Sequence, residues 1–198
     1  MLLSIDPGVA SPGVALFFGG DLIAAAAIKI DKLDACLGER WHRVAEQICT
    51  WARLRILARG VGSDITTVVY EKPKVYTWDK AKGDPDDLFG LSAIGAATAG
   101  MVRPQAVFTY EPAKWIGQIS KVCPVCSDRR SRAKNAFVCK ACGNLASGTP
   151  RGRYIRAALT EAEAALIPEI HDAWDAVGIG LFSLRRLHPK PHYSNGRD

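Results

Sequence analysis

The sequence has no apolar run approaching the roughly 20 residues that cross a bilayer as a helix. Its greasiest stretch, Leu22 to Ile30, is short and follows a Gly-Gly turn, so a membrane-spanning role is excluded. The start, Met1-Leu2-Leu3-Ser4-Ile5-Asp6, lacks a basic segment leading into a long apolar one; no secretory leader is expected, and the chain is placed in the cytoplasm. No internal repeat is found, so a repeat architecture is not expected. At 198 residues the chain is too short for a two-lobed machine but long enough for one domain with its own core. Acids are nearly missing from one region. Between Lys121 and Arg156 there is a single acid, Asp128, against nine basic residues: Lys121, Arg129, Arg130, Arg132, Lys134, Lys140, Arg151, Arg153 and Arg156. That density, within a net charge of +6, suggests a phosphate-binding surface.

What is present reads as an α/β layer architecture. Apolar residues make up 48% and charged residues 23%, the balance of a globular protein. Leu2 to Ile5 reads as a short buried strand, with Gly13 to Phe18, the Gly19-Gly20 turn and Leu22 to Ile30 forming a hairpin after it. From Leu33 to about Ala58, Trp41, Val44, Ile48, Trp51, Leu54 and Ile56 recur near helical spacing. Ile65 to Tyr70 is a β-branched strand, Asp86-Asp87 starts a small-residue helix to about Met101, and Ala106 to Tyr110 is a fifth strand. Glu111-Pro112 opens a helix through Trp115 to about Ser120. Thr160 and Glu163 form a capping box, and Ile170 to Leu187 is a last helix with Ala173, Ala176, Val177, Gly180, Leu181 and Leu184 on one side, where Gly178 and Gly180 permit close packing. The expectation is a hairpin-led, five-stranded mixed sheet flanked by helices. The polar tail 188–198 is expected to be disordered.

Four carboxylates carry the chemistry. Asp6 ends the first strand in Asp6-Pro7-Gly8, where the turn leaves it at the sheet's edge. Glu71 ends the fourth strand, and Asp172 and Asp175 share a face of the last helix. Any one of them alone reads equally as a solvated charge or a helix cap. A cluster of such acids is costly by mutual repulsion unless divalent cations sit among them, and Mg²⁺ prefers these hard oxygen ligands, with Mn²⁺ an alternative. Two such ions about 4 Å apart activate a water and stabilise the leaving oxygen of a phosphodiester.

The cysteines make a second motif. Cys123-Pro124-Val125-Cys126 and Cys139-Lys140-Ala141-Cys142 are two Cys-x-x-Cys knuckles with twelve residues between them. Four thiolates so spaced match a tetrahedral structural Zn²⁺ site. Disulfides and a redox-active dithiol are the competing readings. Arg129, Arg130, Arg132 and Lys134 lie at the tip of this ribbon, which reads as a DNA-binding finger or as a purely stabilising insert. Cys36 and Cys49 stand apart, near the first helix, and read as packed thiols.

Taken together, Ser4-Ile5-Asp6-Pro7-Gly8, the strand-end Glu71 and His171-Asp172-Ala173-Trp174-Asp175-Ala176 resemble the RuvC family of Holliday-junction resolvases in order and spacing. Leu88-Phe89-Gly90-Leu91 to Met101 resembles that family's helix after the glutamate, and Glu111 to Gln118 looks like a stretch of its phage-type members. The resemblance implies an RNase H-like fold over 1–187 and a metal-binding catalytic tetrad of Asp6, Glu71, Asp172 and Asp175. It also implies a homodimer, in the cytoplasm of a bacterium or a phage-infected host, that nicks four-way DNA symmetrically. Some relatives carry a histidine in the last cluster, so His171 would be a proton shuttle or a ligand. Where bacterial members wedge an aromatic into the junction shortly after the glutamate, this chain has Lys72-Pro73-Lys74, with Tyr76 and Trp78 later; Lys72, Lys74, Tyr76 and Trp78 are its candidate DNA contacts in that loop. The zinc ribbon over 121–147 is a departure from typical RuvC proteins, though ribbons before the last catalytic aspartate occur in RuvC-like domains of RNA-guided nucleases.

The leading expectation is a structure-selective endonuclease for branched DNA. An RNase H-like nuclease for other branched or single-stranded nucleic acid, and a non-catalytic zinc-ribbon DNA-binding module, are the alternatives. A sugar kinase or actin-like ATPase would need two such domains and phosphate-holding glycine loops.

Overall fold

Strand alternation sorts the core into two halves, one on each face of a sheet. In the computed structural model, which describes residues 1–31, 36–60, 62, 64–73, 85–116 and 150–187, β1 (Leu2–Asp6) pairs antiparallel with β2 (Gly13–Phe18), and β2 with β3 (Asp21–Ala27). On its other side β1 pairs parallel with β4 (Thr67–Glu71), and β4 with β5 (Ala106–Tyr110), giving the order β3-β2-β1-β4-β5. Leu3, Ile5, Val14, Leu16 and Val68 face one way, onto Val44, Ile48 and Ala52 of α1 (Leu37–Ala58) and Ile94 and Ala99 of α2 (Pro85–Val102). Leu2, Ala15, Phe17, Leu22 and Val69 face the other way. There they meet Trp115 of α3 (Pro112–Ile116), Ile155 of α4 (Pro150–Ala157), Ile167 just beyond α5 (Glu161–Ala164), and α6 (His171–Ser183). The mixed five-stranded sheet between helical layers is the architecture expected from the sequence.

Several boundaries differ. β3 stops at Ala27 rather than Ile30, because Ile28 and Ile30 donate their N–H groups to Pro12 and Ala10, in the loop before β2. α4 was not expected as a helix. The last helix ends at Ser183, and instead of one apolar side it is buried all round from Ala173 to Leu181, being packed between the sheet and α4. Gly178 and Gly180 make that possible. A Cβ at Gly178 would lie 2.8 Å from both the Trp115 ring and the Ile155 side chain, and one at Gly180 would strike the Phe17 ring. Of the two lone thiols Cys49 is packed, as expected, whereas Cys36 is exposed at the start of α1, where no neighbouring layer reaches it. Among the described residues no helix is long and apolar enough to cross a membrane. The ribbon span 121–147, with Cys123, Cys126, Cys139, Cys142, Arg129, Arg130, Arg132 and Lys134, lies outside the described residues, as do the tail 188–198 and Lys74, Tyr76 and Trp78.

One buried ion pair fastens the far end of α6. The expected capping box is present: Glu163 N–H donates to Thr160 Oγ1, and Glu163 Oε2 accepts from Thr160 N–H at 2.8 Å. The same carboxylate also accepts from Leu22 N–H at 2.8 Å and from both ends of the Arg186 guanidinium, at 2.7 and 2.9 Å. Arg186 in turn donates to the carbonyls of Gly20 and Ala158. The β2–β3 turn, the end of α4, α5 and the end of α6 therefore share one bidentate contact. Chiefly because of Arg186, Glu163 titrates at about 2 rather than the ordinary 4.5. A carboxyl with a lowered folded-state pKa stabilises the fold above pH 4.5 and loses that contribution as pH falls toward 2, here about 3 kcal/mol in all. We expect Glu163→Gln to lower unfolding free energy at pH 7 by about 3 kcal/mol. In denaturant titrations the gap from the native chain should close as pH falls toward 2; a gap independent of pH would assign the stabilisation to packing instead.

Candidate functional site

Parallel pairing sets two carboxylates side by side. The β1–β4 register runs Leu2 opposite Thr67 to Ile5 opposite Tyr70, so one residue further on Asp6 and Glu71 end adjacent strands at the same edge. Alternation does the rest. Ser4 and Val69 face α6, so Asp6 and Glu71, two residues beyond each, belong to that face as well.

The last helix brings the other two acids. Asp6 lies across from Gly13 of β2, and a Cβ on Gly13 would run into the carbonyl oxygen and carbon of Asp172. The first turn of α6 thus rests on the bare backbone of the rung that carries Asp6. One turn on, Ser4 Oγ, fully buried, donates to the Ala176 carbonyl at 2.7 Å and fixes the helix over β1. Asp175, between these two anchors, is 5% exposed. His171 opens the helix with Nδ1 at 3.3 Å from Asp175 Oδ2 and 3.8 Å from Asp172 Oδ1. The positive end of the helix dipole favours anionic groups in this turn.

The five residues Asp6, Glu71, His171, Asp172 and Asp175 therefore come from three distant parts of the chain to one end of one sheet face. Lys72 is exposed directly after Glu71, its backbone N–H bonded to the Tyr110 carbonyl at 2.8 Å. A neighbour unforeseen from the sequence is Trp115, which donates from Nε1 to Glu71 Oε2 at 2.6 Å. Nothing in a tryptophan 44 residues from its acceptor announces such a bond, although the stretch containing it had stood out. Gly13 was read only as the start of a strand; its role depends on a helix about 160 residues away.

The donor set is one of carboxylate oxygens with an imidazole beside them, which suits a hard divalent cation. As the side chains stand, no three or more His, Cys, Asp or Glu among the described residues converge closely enough to hold an ion. Glu71 is engaged by Trp115 and Asp175 by His171. The register of β1 with β4 and the close approach of the first turn of α6 to Gly13 bring the elements that carry these acids to one end of the sheet.

The sequence matches no family model and no curated protein. A solved structure does share the fold. Thermus thermophilus RuvC in complex with a Holliday junction substrate aligns over 96% of this chain and 97% of its own, with a TM-score of 0.54 at 16% identity. A second Thermus thermophilus RuvC structure aligns over 96% and 99%, with a TM-score of 0.49 at the same identity. The RNase H-like fold of RuvC, anticipated from the short motifs, is the fold of this chain.

Proposed function

We propose that this chain is a divalent-metal-dependent endonuclease that nicks branched DNA, four-way junctions foremost, in symmetrical pairs as a homodimer. The observation that carries the reading is the meeting of Asp6 and Glu71, at the ends of adjacent parallel strands, with the first turn of α6 bearing Asp172 and Asp175. The fold shared with a junction-bound protein supports DNA as the partner, and so does the basic run from Lys121 to Arg156.

Asp6, Glu71, Asp172 and Asp175 would hold two Mg²⁺ ions, or Mn²⁺ in their place. When bound, such cations polarise the phosphodiester and favour ionisation of the attacking water. The chain's own groups have separate tasks. Asp6 and Glu71 supply oxygens from the rigid sheet, and α6 supplies those of Asp172 and Asp175. His171, which lies beside Asp175, would carry a proton to or from solvent. Lys72 and Lys74 would neutralise phosphates beside the cut, while Tyr76 and Trp78 would stack on bases opened at the branch.

The deciding experiment is cleavage of a labelled four-way junction beside linear duplex and single strand of the same sequence, with Mg²⁺ or with EDTA. Paired metal-dependent nicks near the branch point support the reading. Equal cutting of linear or single-stranded DNA would keep the nuclease and remove the junction; no cutting of any substrate would leave a binding module.

The zinc ribbon is part of the same proposal and rests on the Cys-x-x-Cys spacing. Purified native chain is expected to carry one Zn²⁺, held by Cys123, Cys126, Cys139 and Cys142, in elemental analysis. A Cys123→Ser/Cys126→Ser chain should carry none. Junction affinity of that variant, measured at fixed salt, separates a DNA-binding finger from a stabilising insert.

A further inference from the structure

We propose that Trp115 is a positioning residue of the cation site, a spacer that sets how far the Glu71 carboxylate stands from α6; this rests on the cation site proposed above. The indole is fully buried. Its Nε1 donates to Glu71 Oε2 at 2.6 Å, and the opposite edge of the ring meets α6 at Gly178, where an added Cβ would lie 2.8 Å from Cζ3. The ring therefore bridges the strand that supplies one carboxylate and the helix that supplies two. An indole N–H donates and never accepts or ionises, so it restrains one oxygen of Glu71 without competing for its charge. A buried tryptophan used only for packing would be served as well by a backbone carbonyl. The residue that fills Gly178's other flank, Ile155, packs in the same core but has no polar group to offer.

The test is binding of Mn²⁺ and of Mg²⁺ to the full chain by calorimetry, for the native protein, Trp115→Phe and Ile155→Val, with near-ultraviolet circular dichroism as the check on folding. Trp115→Phe keeps an aromatic ring and removes the donor; it is expected to weaken binding about tenfold or more. Ile155→Val loosens the same packing and should leave binding unchanged. Independently of any variant, the assigned Trp115 indole N–H resonance of the native chain should broaden on Mn²⁺ addition, with the midpoint found by calorimetry. Native-like binding by Trp115→Phe, equal weakening by Ile155→Val, or an unmoved Trp115 resonance would each overturn the inference and leave the proposed cation site standing. A native chain that binds neither ion, with or without junction DNA, would overturn both.

Discussion

Asp6→Asn is expected to bind a four-way junction at least as tightly as the native chain and to cut it roughly a thousandfold more slowly. The amide keeps the shape of the carboxylate at the end of β1 and removes its charge. Asp6 lies beside Glu71 and on the rung beneath Asp172, so it is the acid common to both halves of the site. Cation stabilisation of a phosphoryl transition state is worth several kcal/mol, and each 1.36 kcal/mol is about tenfold in rate. Binding should survive, since one fewer negative charge faces the phosphates. Single-turnover cleavage and gel-shift titration on the same junction check both halves of the expectation. An Asp6→Asn chain that cuts at the native rate would exclude Asp6 from the cation site, and with it the proposed arrangement.

Gly13→Ala should be nearly as damaging, by geometry alone. The new methyl group has to occupy the place of the Asp172 carbonyl, so either the first turn of α6 lifts or β2 gives way. Overpacking against backbone costs about 3 kcal/mol at the upper end of the usual range. A displacement of about 1 Å at reacting groups can cost roughly a hundredfold in rate. Gly180→Ala is the comparison: Gly180 lies on α6 further from the acids, and its Cβ would strike the Phe17 ring of β2 and come within 2.9 Å of Ser4 Oγ. Both variants should lower the unfolding free energy in denaturant, but only Gly13→Ala should lose most of its cutting at temperatures where it is folded. Equal loss of cutting by the two would mean that global stability, not placement of Asp172, limits activity.

The sequence carried most of the layer order because the strands write themselves as short apolar or β-branched runs bounded by turns. β2 and β5 fall on the residues expected, whereas β1 runs one residue past Ile5 to Asp6 and β4 spans Thr67–Glu71 rather than Ile65 to Tyr70. What it did not carry is set by partners distant in the chain. Ile28 to Ile30 keeps the apolar pattern of a strand, but there it bonds to the loop residues Ala10 and Pro12 rather than to a strand. The apolar pattern of the last helix runs on to Leu187, which is buried, yet the helix stops at Ser183. Arg185 turns left-handed there with φ 58°, and the N–H groups of Arg185 and Arg186 close on Phe182 and Leu181. A glycine would have marked that stop; an arginine does not. α4 was hidden because Arg151, Arg153 and Arg156 were weighed as charge, while the residues that seat it, Gly152 and Ile155, are two inconspicuous ones. In the site, order and spacing pointed to the four acids and His171, whereas Trp115 and Gly13 act through contacts that no local pattern encodes.

The convergence of Trp115 and Ile155 on Gly178 bears on how this protein tolerates novelty. Trp115 of α3 and Ile155 of α4, on either side of positions 117–149 in the sequence, meet on one residue of α6. The entropy of closing such an excursion grows only with the logarithm of its length, about 0.6 kcal/mol for each doubling. Lengthening or shortening the sequence between positions 117 and 149 is therefore expected to cost the packing of Trp115 and Ile155 on α6 little stability.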